Sequence, residues 1–134
     1  HGALYIAIRN PKYFKNAGSM SGGVDLHASI GKFDVSKRIG TFDEKPTEWL
    51  NRSAISMVEK LKNNELNLIL DCGVNDFFYD INKSLHQKLI QLKIDHDYIE
   101  RPGIHNWDYW RNAIQFQFLF FNNQFTTNTH NGNN

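Results

Sequence analysis

The chain alternates short apolar runs with segments whose apolar positions recur every three or four residues. The opening HGALYIAIRNP places Ala3, Leu4, Ile6, Ala7 and Ile8 on nearly every side of a helix over residues 1–9. Pro11 stops it, because a proline disfavours the helical conformation at the residue before it. A helix apolar all round has to be buried by other structure, so the pattern implies a partner segment upstream. YFKNAGSMSGG, residues 13–23, predicts a short buried strand running into a glycine turn. Residues 24–46 carry Gly31, Gly40, Pro46 and scattered charges without sustained periodicity, which predicts a long surface connection able to hold part of a pocket. From Thr47 to Leu61 the positions Leu50, Ala54, Met57, Val58 and Leu61 keep helical spacing, with a break near Asn51.

LNLIL at 66–70 is a compact apolar run of the kind found in interior parallel strands. It is followed by a loop, DCGVND, and by a helix marked by Phe78, Ile81, Leu85, Leu89 and Leu92. DHDYIE predicts a short strand, RPGIHN a turn, and residues 107–121 a last helix whose stripe Trp107, Trp110, Ile114, Phe118 and Phe121 should be buried. Asn106 is placed to cap that helix, and Asp108 lies where the helix dipole favours negative charge. Residues 122–134 are polar and Asn-rich and predict a disordered tail. Strand and helix alternating three times is the pattern of an α/β fold, about three parallel strands covered by helices. Three strands form an incomplete sheet, with an apolar edge open to pairing.

Composition narrows the function classes. The length of 134 residues fits one domain. Fifteen basic against fourteen acidic side chains, a formal charge of +1, leave no basic footprint for a nucleic-acid partner. No run is long enough for a membrane span. Cys72 is the single cysteine, so no intrachain disulfide can form, and no Cys/His spacing predicts a metal. Nothing in the sequence calls for a cofactor, and the compartment stays open between cytoplasm and secretion.

Ligands bind open parallel sheets beyond the carboxyl ends of the strands. The loop after LNLIL offers Asp71 and Asp76 there, and the loop after DYIE offers His105 on a Pro-Gly turn ahead of a helix. An acid followed by a histidine matches the last two members of a Ser, Asp, His triad in α/β-hydrolase order. Asp71 competes with Asp76 because it lies nearer the strand end. The segment GSMSGG around Ser21 has the letters of a nucleophile elbow. An elbow requires a helix to start at the serine, whereas two glycines and an aperiodic stretch follow Ser21. Ser21 and Asp25 are therefore expected to line a pocket, with Trp107 as a further substrate contact and pocket wall.

LDCGVNDFF followed by ERPGIHNWDYWRNAIQFQFLFF, with RNPKYFKNAGSMSGG upstream, resembles the carboxyl-terminal half of an esterase family of α/β-hydrolases. That family includes S-formylglutathione hydrolase (esterase D), tributyrin esterases, feruloyl and acetyl xylan esterases, and mycolyltransferases. The likeness covers residues 1–121 and implies that Asp76 is the triad acid and His105 the triad base. It also implies a nucleophile in a G-x-S-M-G-G elbow a few residues before His1, together with the oxyanion hole and the rest of the sheet. The implied activity is hydrolysis of carboxylic esters or thioesters, with small-molecule or carbohydrate-linked substrates. A chain without the serine is expected to be inactive alone, and to associate with an amino-terminal half or with itself. Two alternatives remain open at this point, an acyltransferase of the same fold and a non-catalytic binding module that retains half of the hydrolase fold.

Overall fold

The computed structural model describes residues 1–130. Its elements are α1 (Gly2–Arg9), β1 (Asn16–Met20), α2 (Val35–Ile39), α3 (Pro46–Arg52), α4 (Ala54–Met57), β2 (Asn67–Gly73), α5 (Tyr79–Gln91), β3 (His96–Arg101) and α6 (Trp107–His130). The three strands form one parallel sheet in the order β1-β2-β3. The expected alternation is therefore present.

Strand β2 is central and buried from Leu68 to Gly73. A strand flanked on both edges and covered on both faces has no solvent side, which explains the unbroken apolar run. Leu68, Leu70 and Ala17 point into a core closed by Leu4, Ala7 and Ile8 of α1, Ala54 and Met57 of α4, and Leu85 and Leu89 of α5. On the opposite face, Gly18 of β1 sits beside Ile69 in register and against α6, where a side chain in its place would meet Gln117 and Phe121. Asn82, fully buried on α5, donates from Nδ2 to the Gly22 carbonyl at 2.8 Å and ties that helix to the turn after β1.

Several expectations need correction. Residues 71–73 belong to β2 rather than to the loop, since their backbones pair with Ile99, Glu100 and Arg101. The break in the 47–61 segment falls at Ser53, whose hydroxyl donates to the Trp49 carbonyl and accepts the Leu26 amide across the chain. The connection 24–46 contains a 3-10 turn at Leu26–Ser29 and the short α2. Helix α1 buries one face only; Ile6 on its other side is 49% exposed. Helix α6 does not end at residue 121 but runs to His130, so residues 122–130 are helical instead of forming a disordered tail. Residues 131–134 of that expected tail lie outside the described residues.

The buried stripe of α6 is also displaced. It comprises Tyr109, Ala113, Gln117 and Phe120, while Trp107 and Phe118 stand out at 71% and 66% exposure. Apolar residues surround this helix on most sides, so periodicity alone does not select a face. Ala113 and Gln117 take it, with Gln117 lying against Gly18 of β1. Among the described residues, no helix is long and apolar enough to cross a membrane.

A histidine pair fastens α5 to β3. His96 donates from Nδ1 to the Ile94 carbonyl at 2.8 Å, which leaves its Nε2 to accept from His86 Nδ1, also at 2.8 Å. Burial, then the neighbouring His96, holds the His86 pKa below its ordinary value, against a smaller opposing pull from Glu100. A lowered histidine pKa makes the unfolded chain bind more protons as the solution is acidified. Its stabilising contribution is thus complete above the unfolded value of about 6.5 and falls as pH drops through that value toward the folded one. Denaturant midpoints measured from pH 7.5 to 5 should show a loss on acidification that is smaller in His86→Gln than in the wild type.

Candidate active site

The carboxyl ends of β2 and β3 carry two loops whose backbones are joined. Val74 N–H donates to the Arg101 carbonyl and Asn75 N–H to the Gly103 carbonyl, each at 2.9 Å. This junction requires glycine at position 73, because a Cβ there would lie 2.4 Å from the Gly103 carbonyl oxygen. Asp76 follows at once, fixed by its own N–H to the Gly73 carbonyl and by its carbonyl accepting from Tyr79 at the start of α5.

The Asp76 side chain is wholly buried, and a carboxylate taken from water needs donors. It has three contacts from two sources. Phe78 N–H donates to Oδ1 at 2.8 Å, and His105 Nδ1 lies 2.9 Å from Oδ2 and 3.1 Å from Oδ1. An ionised carboxylate only accepts, so the nitrogen facing it carries the proton and His105 Nε2 holds a lone pair. None of the described residues hydrogen-bonds that Nε2. The imidazole sits among aromatic rings, with Phe77 at 4.2 Å between centroids, Trp110 perpendicular at 4.8 Å and Phe78 at 5.5 Å. One side remains open, the histidine side chain being 26% exposed.

Asp71, the competing acid, is engaged elsewhere. Its Oδ2 accepts from Arg101 at 2.8 Å and its Oδ1 from the Tyr109 hydroxyl at 2.5 Å. Burial, then the Asp71 carboxylate, pushes the Tyr109 pKa well above the usual phenol range, so its hydroxyl stays a donor.

The structure brings Asp76 and His105 into contact and connects Trp107 to them through Trp110, the two indoles packing edge-on at 5.2 Å. Ser21 and Asp25 have separate local environments. Ser21 is 3% exposed, lies at φ +52°, and donates its N–H to the Asp71 carbonyl. Its hydroxyl lies beside the Cys72 thiol and bonds no nitrogen or oxygen among the described residues. Burial, then the Asp76 charge, pushes that thiol up to about 12, which keeps it protonated and unreactive. The Asp25 carboxylate accepts from His27, through the backbone N–H and Nδ1 at 3.0 Å each. Among the described residues, no group of His, Cys, Asp and Glu could hold a metal ion.

Two further residues at the site escaped the sequence pattern. Phe33, from the connection after β1, packs on Phe77 at 6.3 Å and on Phe78 at 5.8 Å, and both Phe33 and Phe77 are more than 60% exposed. Phe33 and Asp34 both have left-handed backbones, at φ +56° and +54°, a conformation uncommon outside glycine and telling when two occur together. No periodicity marks an isolated loop aromatic; FF at 77–78 beside the acid was the only available signal.

The esterase family model, described as "Putative esterase", matches residues 1–121. The chain belongs to this esterase family. No curated protein sequence matches it significantly. Among solved structures, a ferulic acid esterase is similar at 23% identity over 90% of this chain and 46% of its own, with a TM-score of 0.69. The fluorophosphonate-binding serine hydrolase F of Staphylococcus aureus, solved with substrate bound, is similar at 19% identity over 89% of this chain and 49% of its own, with a TM-score of 0.72. The esterase chain thus spans about half the length of these two. Dipeptidyl peptidase 4 of Porphyromonas gingivalis is similar at 16% identity over 89% of this chain and 17% of its own, also at 0.72. A peptidase in this set means that the likeness carries the fold and not the substrate. The architecture is the carboxyl-terminal half of an α/β-hydrolase fold.

The junction at Gly73 makes a direct prediction. Gly73→Ala should destabilise the esterase chain by about 1–3 kcal/mol, the usual cost of overpacking, because the contact is with backbone that cannot rotate away. Denaturant unfolding measures it; an unchanged midpoint would show that the two loops are free to separate.

Proposed function

We propose that the Asp76–His105 pair is the acid and base of a Ser-Asp-His triad that cleaves carboxylic ester or thioester bonds, with the serine on a segment preceding His1. The observation that carries this reading is the wholly buried Asp76 carboxylate bonded to His105 Nδ1, with Nε2 left to accept. The span of about half the length of similar hydrolase structures supports a nucleophile on another segment.

In this reading His105 Nε2 takes the proton from the serine hydroxyl as Oγ attacks the carbonyl carbon. Asp76 holds the imidazole in the required tautomer and stabilises the imidazolium that forms. Collapse of the tetrahedral intermediate breaks the carbon–oxygen or carbon–sulfur bond, and Nε2–H protonates the departing alkoxide or thiolate. The acyl-enzyme is then attacked by a water whose proton passes to Nε2 and returns to the serine as the acid leaves. Donors for the oxyanion come with the same preceding segment. Phe33, Phe77 and Trp107 offer exposed rings beside the base, suited to an apolar group of the ester. Ser21 and Asp25 contribute to substrate only if the turn after β1 rearranges, since both are occupied locally.

The chain by itself should be inactive and should not react with a fluorophosphonate probe; intact mass shows either result, and stoichiometric labelling at Ser21 would overturn the assignment. When it is joined to the amino-terminal half of the fold, His105→Ala and Asp76→Asn should each lower kcat on a p-nitrophenyl ester by on the order of 10⁴-fold. Loss of less than tenfold in either variant would remove that residue from the triad.

A further inference from the structure

We infer that Tyr109, held by the buried Asp71–Arg101 pair, is a positioning residue that sets the Gly103 turn and thereby the aim of His105 at Asp76. The inference rests on the proposed role of Asp76 and His105. It takes its evidence from a carboxylate on the central strand that the proposed chemistry does not use.

Asp71 is fully buried, with one oxygen on Arg101 and the other on the Tyr109 hydroxyl. Arg101 is the last residue of β3, and its guanidinium also bonds Asn112 of α6 and lies over the rings of Tyr109 and Phe116, at 5.2 and 4.5 Å. Tyr109 is therefore fixed at its hydroxyl and along one face. Its backbone N–H is fixed as well, by the Asn106 side chain at 2.9 Å. Its ring presses against Gly103, where a Cβ would lie 2.2 Å from Cδ2 and where φ is +157°. The Gly103 carbonyl in turn accepts from Asn75 N–H, next to Asp76. His105 is thus enclosed between two anchored residues, Gly103 and Asn106, both referred to Tyr109. The two loops are joined by backbone bonds, and this aromatic ring ties the Gly103 turn back to Asp71 on β2.

A phenol bonded to a carboxylate is a stiffer support than a phenyl ring in the same place, because the charge-assisted bond fixes the ring's height over Gly103. Tyr109→Phe retains the ring and its packing and removes the hydroxyl that meets Asp71 and faces Arg101. The test is proton NMR of the full chain, following the slowly exchanging His105 Nδ1–H resonance, assigned by its loss in Asp76→Asn. In Tyr109→Phe its exchange with water should be about tenfold faster, the loss of one charge-assisted hydrogen bond. Leu89→Ala, in the core on the opposite face of the sheet, should lower Tm while leaving that exchange rate unchanged. An unchanged rate in Tyr109→Phe, or an equal acceleration in Leu89→Ala, overturns the positioning role alone. Absence of the resonance in the wild type, or its survival in Asp76→Asn, overturns the dyad and the inference together.

Discussion

The close approach of two backbones, at Gly73 and Gly103, is the constraint on which the rest of this site depends. Parallel strands diverge where they leave the sheet, and side chains on their trailing loops ordinarily drift apart. Here the hydrogen-bonded pairing of β2 with β3 continues two residues past the strand, through Val74 and Asn75. That continuation is possible only because neither glycine carries a Cβ; at Gly73 one would press into the Gly103 carbonyl and at Gly103 into Tyr109. A carboxylate one residue beyond the junction and an imidazole two residues beyond it then meet without needing long side chains to reach. The hydrogen bond between Asp76 and His105 is a consequence of backbone packing.

Two aspartates five residues apart have different partners. Both are buried, so both need partners, and the identity of the partners decides the chemistry. Asp71 faces the α6 side of the sheet, where an arginine and a phenol satisfy it. These two bonds tie the Asp71 carboxylate to the end of β3 and to α6. Asp76 lies past the strand end, bonded to one backbone amide and one imidazole. The far nitrogen of that imidazole bonds none of the described residues, and in the proposed triad it is the atom that takes the serine proton. Nearness to the strand end made Asp71 a competing candidate in the sequence; β2 extends through residue 73 and carries Asp71 inside the sheet.

The legible parts of the sequence were those where one physical signal acts alone. The run at 66–70 has no reason to be continuously apolar except interior burial, and α5 shows its stripe because Leu85 and Leu89 stand against polar neighbours. That Asp76 and His105 lie on neighbouring loops was legible through loop position and through the combined motifs around them. What was not legible arose where signals overlap or where none is written. Helix α6 is apolar on most sides, so its true face, marked by Ala113 and Gln117, is concealed by the larger Trp107 and Phe118 that stay exposed. Its continuation past residue 121 was hidden by a polar composition that reads equally as tail or as exposed helix. Phe33 reaches the site only through two left-handed residues in a loop, which no pattern encodes.

Ser21 shows why an arrangement of letters differs from a site. It shares with an elbow serine a place at the end of a parallel strand and a left-handed backbone, at φ +52°. Strain of that kind becomes useful when a helix starts at the residue, because the turn then lifts the hydroxyl above the sheet and places backbone N–H groups beside it. After Ser21 the chain instead passes through Gly22 and Gly23 to a 3-10 turn, and the Gly22 carbonyl is held down by Asn82. The hydroxyl is left turned toward a protonated thiol, buried and bonded to no nitrogen or oxygen among the described residues. The same turn has a different use in the fold. Phe78 packs against Gly23 at ordinary contact distance, 3.4 Å from where a Cβ would be, and Phe78 is the residue whose amide donates to Asp76 and whose ring walls His105. The turn after Ser21 therefore meets the Asp76–His105 pair through Phe78, while the Gly73–Gly103 junction joins their two loops directly.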